Sequence, residues 1–149
     1  MAVRASREVV FDASPEEILE ALADVEAVPK WSSVHKRAEV LDRYPDGRPR
    51  HVRATLKIMG VTDKEVLEYH WGPRWMVWDA ADNIQQRGQH GEYNLTPEGT
   101  EGDRTRVRFD ITIDLAAPIP AFLIKRAKEI VLDVATEALR RRVERDGQP

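Results

Sequence analysis

Apolar and polar residues alternate over most of the chain and change to a helical spacing near its C-terminus. At the start, Val3, Ala5, Val9 and Phe11 alternate with polar residues, and Arg7 alone interrupts the apolar set. Strict alternation is typical of a strand with one buried face. The pattern therefore predicts a first strand that carries Arg7 on its inward face.

A short helix is predicted directly after this strand. Ser14 suits the N-cap, Pro15 suits the first helical position, and the two glutamates that follow favour the positive end of the helix dipole. Apolar residues recur at helical spacing from Ile18 onward. Pro29 ends or interrupts this helix, and Trp31 follows at once. The chain thus makes a short helical excursion before it returns to strands.

The middle of the chain, from 34 to 115, is predicted to be a succession of strands. The clearest segments are 50–59, 64–71, 74–81, 85–96 and 104–115. Turn-forming residues separate them, including Pro45-Asp46-Gly47, Gly72-Pro73 and Asp82-Asn83. Connections this short force neighbouring strands to be antiparallel, because a parallel crossover needs about a dozen residues or more.

A long amphipathic helix of about six or seven turns is predicted after the last strand, over about 119–145. Pro118 and Pro120 close the strand, and apolar residues then recur every three or four positions. A helix and a sheet with one apolar face each must pack together, because neither buries its face alone. The predicted fold class is therefore α+β, with a curved antiparallel sheet of about six or seven strands around a long C-terminal helix.

A single helix laid across a curved sheet cannot fill the concave side completely, which predicts an apolar cavity there unless aromatic side chains fill it. The same residues serve both interpretations, as cavity lining or as solid core. The predicted lining residues are Trp31, Leu56, Ile58, Tyr69, Trp78, Tyr93, Phe109, Ile111, Phe122, Ile130 and Val134.

Four short segments, taken in their order and spacing, resemble a known family. They are Asp12-Ala13-Ser14-Pro15-Glu16, Pro29-Lys30-Trp31, Gly91-Glu92-Tyr93-Asn94-Leu95-Thr96-Pro97 and Pro118-Ile119-Pro120. With them the chain resembles the polyketide cyclase/dehydrase and lipid transport family of the START-like (SRPBCC) superfamily, which shares the helix-grip fold with the birch pollen allergen. The resemblance covers nearly the whole chain and implies one START-like domain over 1–149. It also implies a cavity for a lipid, quinone or polyketide. One departure is the longer turn at 98–103.

Composition narrows the function classes further. The chain has 149 residues and a formal net charge of −3, so it has no overall attraction to nucleic acid. It has no cysteine, which excludes disulfides and thiolate chemistry and suits a reducing cytoplasm. No apolar run approaches the length of a membrane span. We therefore expect a cytoplasmic protein without an integral membrane segment, although its basic end, Arg140-Arg141-Arg142 with Arg145, leaves a transient membrane contact open.

The sequence contains no clear catalytic motif. None of the serines lies in a nucleophile-elbow sequence, and the histidines lack the spacing of metal ligands, so neither a metal nor another cofactor is expected. The candidates for general acid–base work are Arg7, Glu68, His70 and Asp79, if they face the cavity. Arg7 cannot act as a base near neutral pH, but it could bind a carboxylate or stabilise an enolate.

Three functions remain open at this point. The favoured hypothesis is a carrier or binding protein for a hydrophobic small molecule, with Trp31 as a gate at the cavity mouth. The second is a polyketide cyclase, aromatase or dehydratase that uses polar residues in the cavity. The third is a protein-interaction module with a filled core and Trp31 on its binding surface. The sequence leaves the ligand, any reaction and the oligomeric state open.

Overall fold

The computed structural model describes residues 1–80, 86–115 and 118–146 of the chain. Within them, seven strands form one sheet in the order β1-β7-β6-β5-β4-β3-β2, and every neighbouring pair is antiparallel as predicted. The strands are β1 (Ala2–Phe11), β2 (His35–Arg43), β3 (Pro49–Ile58), β4 (Val61–Gly72), β5 (Trp75–Ala80), β6 (Gln86–Glu98) and β7 (Arg104–Leu115). The predicted turn at Asp82-Asn83 lies outside the described residues.

The helical excursion after β1 begins as the sequence predicts. Helix α1 (Pro15–Ala23) has Ser14 as its N-cap, and the Ser14 hydroxyl accepts a hydrogen bond from the Glu17 backbone amide at 3.2 Å. The Glu17 carboxylate accepts one from the Ser14 backbone amide at 3.2 Å, which completes a capping box. A 3₁₀ turn (Val25–Ala27) and the one-turn helix α2 (Val28–Trp31) then lead into β2.

The C-terminal helix has three consecutive parts: α3 (Ala121–Asp133), a π-helical segment (Val134–Ala138) and α4 (Leu139–Asp146). It begins at residue 121 rather than near 119, because Ile119 precedes a proline and such a residue is disfavoured in helical geometry. In the π-helical segment, the carbonyl of Ala135 accepts a hydrogen bond from the Tyr93 hydroxyl at 2.8 Å. The sheet thus holds the helix at the place where its winding changes.

The packed core lies under the π-helical segment and α4, at the end of the sheet where β1 ends and α1 begins. Phe11, Ile18, Phe109 and Leu139 are almost completely buried there. In contrast, α3 contains no buried residue along its whole length. The C-terminal helix is therefore tightly packed over its second half only.

Candidate ligand-binding site

Apolar side chains that are only half-buried lie on the concave face of the sheet and on α3. On the sheet these include Leu56, Tyr69, Trp78 and Ile113, all of which pack against the edge of a buried cluster. On α3, Ala127 is half-buried and lies seven residues before the buried Val134, so it shares the sheet-facing side of the helix. Apolar surface therefore remains accessible on both walls.

A row of aromatic rings crosses the concave face over β4, β5, β6 and β7. The ring centroids of Trp71 and Tyr69 are 5.9 Å apart, and those of Tyr69 and Trp78 are 6.2 Å apart. Trp78 continues the row to Tyr93 at 6.0 Å and to Phe109 at 5.9 Å. Such distances are typical of favourable aromatic pairs, so these rings form a continuous apolar floor.

Trp78 lies flat on the sheet because its cross-strand partner is Gly91. A Cβ atom at Gly91 would be 2.2 Å from the Trp78 ring, so no other residue leaves room for the indole there. In this position the indole N–H donates a hydrogen bond to Oε1 of Gln89 at 2.8 Å. Because Gly91 has no side chain, the indole of Trp78 can lie with its N–H edge toward Gln89 on β6.

Glu65, on β4, extends this hydrogen-bonded chain. Nε2 of Gln89 donates to the two carboxylate oxygens of Glu65 at 2.9 and 3.1 Å. Glu65 is only 4% exposed, and its cross-strand neighbour on β3 is Ala54. Gln89 is likewise opposite Ala80 on β5. Small neighbours therefore leave space for a carboxylate and an amide on a face that is otherwise apolar.

Two tyrosines of the concave face are held in the protonated form. Burial raises the pKa of Tyr69 well above its usual range, and the negative charge of Glu65 raises that pKa further. Burial also raises the pKa of Tyr93, with a smaller contribution from Tyr69. The Tyr93 hydroxyl donates a hydrogen bond to the carbonyl of Ala135, whereas no described residue forms a hydrogen bond with the Tyr69 hydroxyl. Tyr69 is thus a neutral hydroxyl beside a buried carboxylate.

Arg7 faces inward as the strand pattern predicts, but it is engaged by the C-terminal helix. Its Nη1 donates to Oδ1 of Asp133 at 2.6 Å and to the Thr136 hydroxyl at 3.4 Å. These contacts join β1 to the start of the π-helical segment. The structure therefore gives Arg7 a bridging position between sheet and helix.

Glu68, His70 and Asp79 do not face α3. They alternate with inward residues of β4 and β5, which places them on the outer face of the sheet. There Nε2 of His70 is 3.3 Å from Oε1 of Glu68, and Nδ1 of His90 is 2.7 Å from Oδ1 of Asp79. The hydrogen bond with Asp79 is the main cause that raises the pKa of His90. The structure thus separates these three candidates from Arg7.

The predicted lining residues differ in how they are placed. Those already packed in the core or on the concave face are Tyr93, Phe109, Ile111 and Val134. Those that stay half-buried are Trp31, Leu56, Ile58, Tyr69, Trp78 and Ile130. Phe122 is 74% exposed in the first turn of α3, so its ring lies largely in solvent.

Trp31 lies beside residues of α1 and α4. Together with Ala21 and Val143 it lines an outer groove of about 610 Å³, and Glu20 and Arg142 contribute its polar border. The indole also packs against the edge of the main core. Trp31 therefore sits beside the packed half of the C-terminal helix, and its role as a gate stays a prediction.

Sequence reasoning missed Glu65 and Gln89. The signal for Glu65 was present, because it has the same alternation phase as Leu67, Tyr69 and Trp71.

In the described part of the chain, no group of histidine, aspartate and glutamate side chains is arranged to hold a metal ion. No helix in that part is long and apolar enough to cross a membrane.

The sheet order, the helical excursion and the long C-terminal helix define a helix-grip protein of the START-like class. A family model described as polyketide cyclase / dehydrase and lipid transport matches residues 2–145, and the chain belongs to this family. No protein of curated function matches the chain in sequence.

Solved structures show the same architecture. The chain is similar to a START superfamily protein from Mycobacterium smegmatis, with 26% identity, 95% of this chain and 97% of that chain covered, and a TM-score of 0.84. It is also similar to a protein from Thermus thermophilus, with 21% identity, coverages of 98% and 100%, and a TM-score of 0.81. An aromatase/cyclase, Zhui from Streptomyces sp. R1128, shares 14% identity, with coverages of 99% and 97% and a TM-score of 0.83.

Proposed function

We propose that this protein binds a hydrophobic small molecule in the space between α3 and the concave face of the sheet, as a carrier or binding protein. The observation that supports the proposal most is the contrast along the C-terminal helix. Its second half is tightly packed, whereas α3 has no buried residue, and several aromatic and aliphatic side chains of the concave face are only half-buried. Apolar surface that a fold leaves partly exposed on two facing walls is typical of a ligand site.

The expected affinity follows from the apolar area that such a ligand would bury. A ligand that removes about 400 Å² of apolar surface from water gains roughly 10 kcal/mol at about 25 cal/mol per Å². Association costs of at least about 4 kcal/mol reduce this to about 6 kcal/mol, which corresponds to a dissociation constant of tens of micromolar. Tighter binding requires a polar contact in addition to the aromatic floor.

The carrier function is favoured over the other two hypotheses by the placement of polar groups. Of the candidates that the sequence offered for the enzyme hypothesis, Glu68, His70 and Asp79 lie on the outer face and Arg7 is paired with Asp133. The ionisable Glu65 does lie on the concave face, where its carboxylate accepts hydrogen bonds from Gln89. The filled-core hypothesis needs tight packing along the whole C-terminal helix, which the exposure of α3 argues against.

A bulky residue on the sheet-facing side of α3 tests the proposal. We expect Ala127→Trp to weaken binding of the neutral fluorescent probe N-phenyl-1-naphthylamine at least about tenfold, because the indole would occupy the site at a cost of more than about 1.4 kcal/mol. Glu129→Trp is the matched control, since Glu129 is exposed on the same helix. Both variants should unfold at nearly the same temperature as the unmodified chain. Equal probe affinity in a folded Ala127→Trp variant would overturn this placement of the site.

A further inference from the structure

The outer groove beside Trp31 has an apolar floor. It is formed by residues of α1, of the 3₁₀ turn, of α2 and of α4, and its apolar lining consists of Ala21, Ala27, Trp31 and Val143. Ala27 and Val143 are buried, whereas Trp31 is half-buried and packs with one side against the main core. No described residue accepts a hydrogen bond from the Trp31 indole N–H. The indole is therefore the largest apolar surface that the groove presents.

The border of this groove is acidic. One guanidinium lines it, that of Arg142, together with the exposed carboxylates of Glu16, Glu17, Glu20 and Asp24. The Glu20 carboxylate is 3.3 Å from Nη2 of Arg48, and the Glu17 carboxylate accepts the capping hydrogen bond from the Ser14 amide. Glu16 and Asp24 form no ion pair with any residue that the structure describes. Negative charge therefore exceeds positive charge around the groove, even with Arg48 and Arg142 counted.

Helix stability does not account for the whole of this charge pattern. The glutamates at the start of α1 suit the helix dipole, but Glu16, Glu20 and Asp24 follow one another at i,i+4 spacing, where like charges destabilise a helix. Asp24 is the C-cap, where negative charge opposes the dipole, and its side chain forms no capping hydrogen bond with the 3₁₀ turn. Local sequence choices that cost stability in this way are expected mainly at functional sites.

We propose that the outer groove is a docking site for a basic segment of a partner protein, in which lysine or arginine side chains flank an apolar one. The apolar side chain contacts the Trp31 indole, and the cations pair with Glu16 and Asp24. These two carboxylates are separated by about 12 Å along the axis of α1. About four residues of extended peptide span that length, whereas a single small cation reaches only one of the two carboxylates. The proposal does not depend on the ligand site at α3, because the two sites use different residues.

Fluorescence anisotropy with three labelled peptides tests the proposal. The probes are fluorescein-labelled Arg-Lys-Leu-Leu-Arg-Lys, Arg-Lys-Ser-Ser-Arg-Lys and Glu-Glu-Leu-Leu-Glu-Glu, each titrated with the unmodified protein at low salt. We expect the first to bind at least about tenfold more tightly than the third, because several exposed ion pairs act together. Serine in place of leucine should weaken binding about threefold or more, because the apolar contact with Trp31 is lost. Equal affinities of the first and third peptides, or no binding of the first, would overturn the proposal.

Charge reversals assign the binding to the groove. Glu16→Lys and Asp24→Lys should each weaken binding of Arg-Lys-Leu-Leu-Arg-Lys about fivefold, since an attractive pair becomes a repulsive one. Glu129→Lys is the matched control, because Glu129 is exposed on α3 and its reversal changes the net charge equally. If a reversal unfolds the protein, the milder Asp24→Asn should still weaken binding about twofold. Equal affinities of the Asp24 variants and Glu129→Lys would overturn the proposal. A concentration-dependent dimer of the unmodified chain that Asp24→Lys dissociates would also overturn it, because a second copy would then occupy the groove.

Discussion

His35 should make the protein lose stability in mild acid. It is the first residue of β2, and its Nδ1 is 2.6 Å from the hydroxyl oxygen of Ser32, which is itself buried. Burial lowers the pKa of His35 from 6.5 to about 4, because the charged imidazolium is poorly solvated there. The folded protein therefore binds a proton at His35 less readily than the unfolded chain does.

The sign and size of the effect follow from this difference in pKa. The stabilising contribution of neutral His35 is fully present above the unfolded pKa of 6.5 and is lost as the pH falls toward about 4. Each unit of pKa difference is worth about 1.4 kcal/mol, so lowering the pH from about 7 to about 5 should remove about 2 kcal/mol of unfolding free energy through this group.

Urea denaturation at these two pH values measures the effect. The unmodified protein is compared with His35→Asn, whose side chain keeps a polar atom near the position of Nδ1 but does not titrate. We expect the variant to lose about 2 kcal/mol less than the unmodified protein between about pH 7 and about pH 5. Identical pH dependence in the two proteins would refute the reasoning.

His90 gives a control of opposite sign. Its pKa is raised, mainly by the hydrogen bond with Asp79, so its stabilising contribution is present at low pH and is lost as the pH rises through the folded pKa. His90→Asn should therefore lose stability mostly in acid, and its pH dependence should differ from that of the unmodified protein in the direction opposite to His35→Asn. A shift in the same direction for both variants would show that the two environments are misassigned.

Three further substitutions test the packing around the site by urea denaturation. Gly91→Ala should displace the Trp78 indole, lower the free energy of unfolding by about 1–3 kcal/mol through overpacking and change the near-ultraviolet circular dichroism. An unchanged spectrum would contradict the close approach of the Trp78 ring to Gly91. Thr105→Val should cost about 1–3 kcal/mol, because the completely buried Thr105 hydroxyl donates to the Ala13 carbonyl at 2.7 Å; a neutral effect would speak against that bond. Ser14→Ala should cost about 1 kcal/mol through loss of the helix cap, and no loss would argue against the capping box.

Much of the fold was predictable from alternation and turn residues. In β1 and β7 apolar and polar residues alternate, with Arg7 as the exception in β1, so the buried face of each strand could be read directly. The pairing of these two strands, which lie at opposite ends of the chain, could not be read from the alternation. β2 was not singled out as a separate strand. Register shifts between His35 and Arg37, and again between Val40 and Asp42, break its alternation, and such irregularities hide a strand from a pattern of period two.

The site was less predictable because it depends on contacts between distant segments. The phase of β4 places Glu65 inside and Glu68 and His70 outside, but only the paired strands show that Gln89 reaches the Glu65 carboxylate. The π-helical segment likewise could not be predicted, because the apolar stripe of the C-terminal helix continues through it and does not show the change of winding. Its Ala135 carbonyl is held by the Tyr93 hydroxyl, which is 42 residues away in the chain.

Ligand contacts observed by NMR test the central claim most directly. Isoleucine methyl groups are labelled, and intermolecular nuclear Overhauser effects are recorded with N-phenyl-1-naphthylamine bound. The account predicts contacts to Ile113 on β7 and Ile130 on α3, which are half-buried, and none to Ile18, which belongs to α1 and is completely buried. Contacts confined to other methyl groups, or none at a saturating probe concentration, would contradict a ligand site between α3 and the sheet.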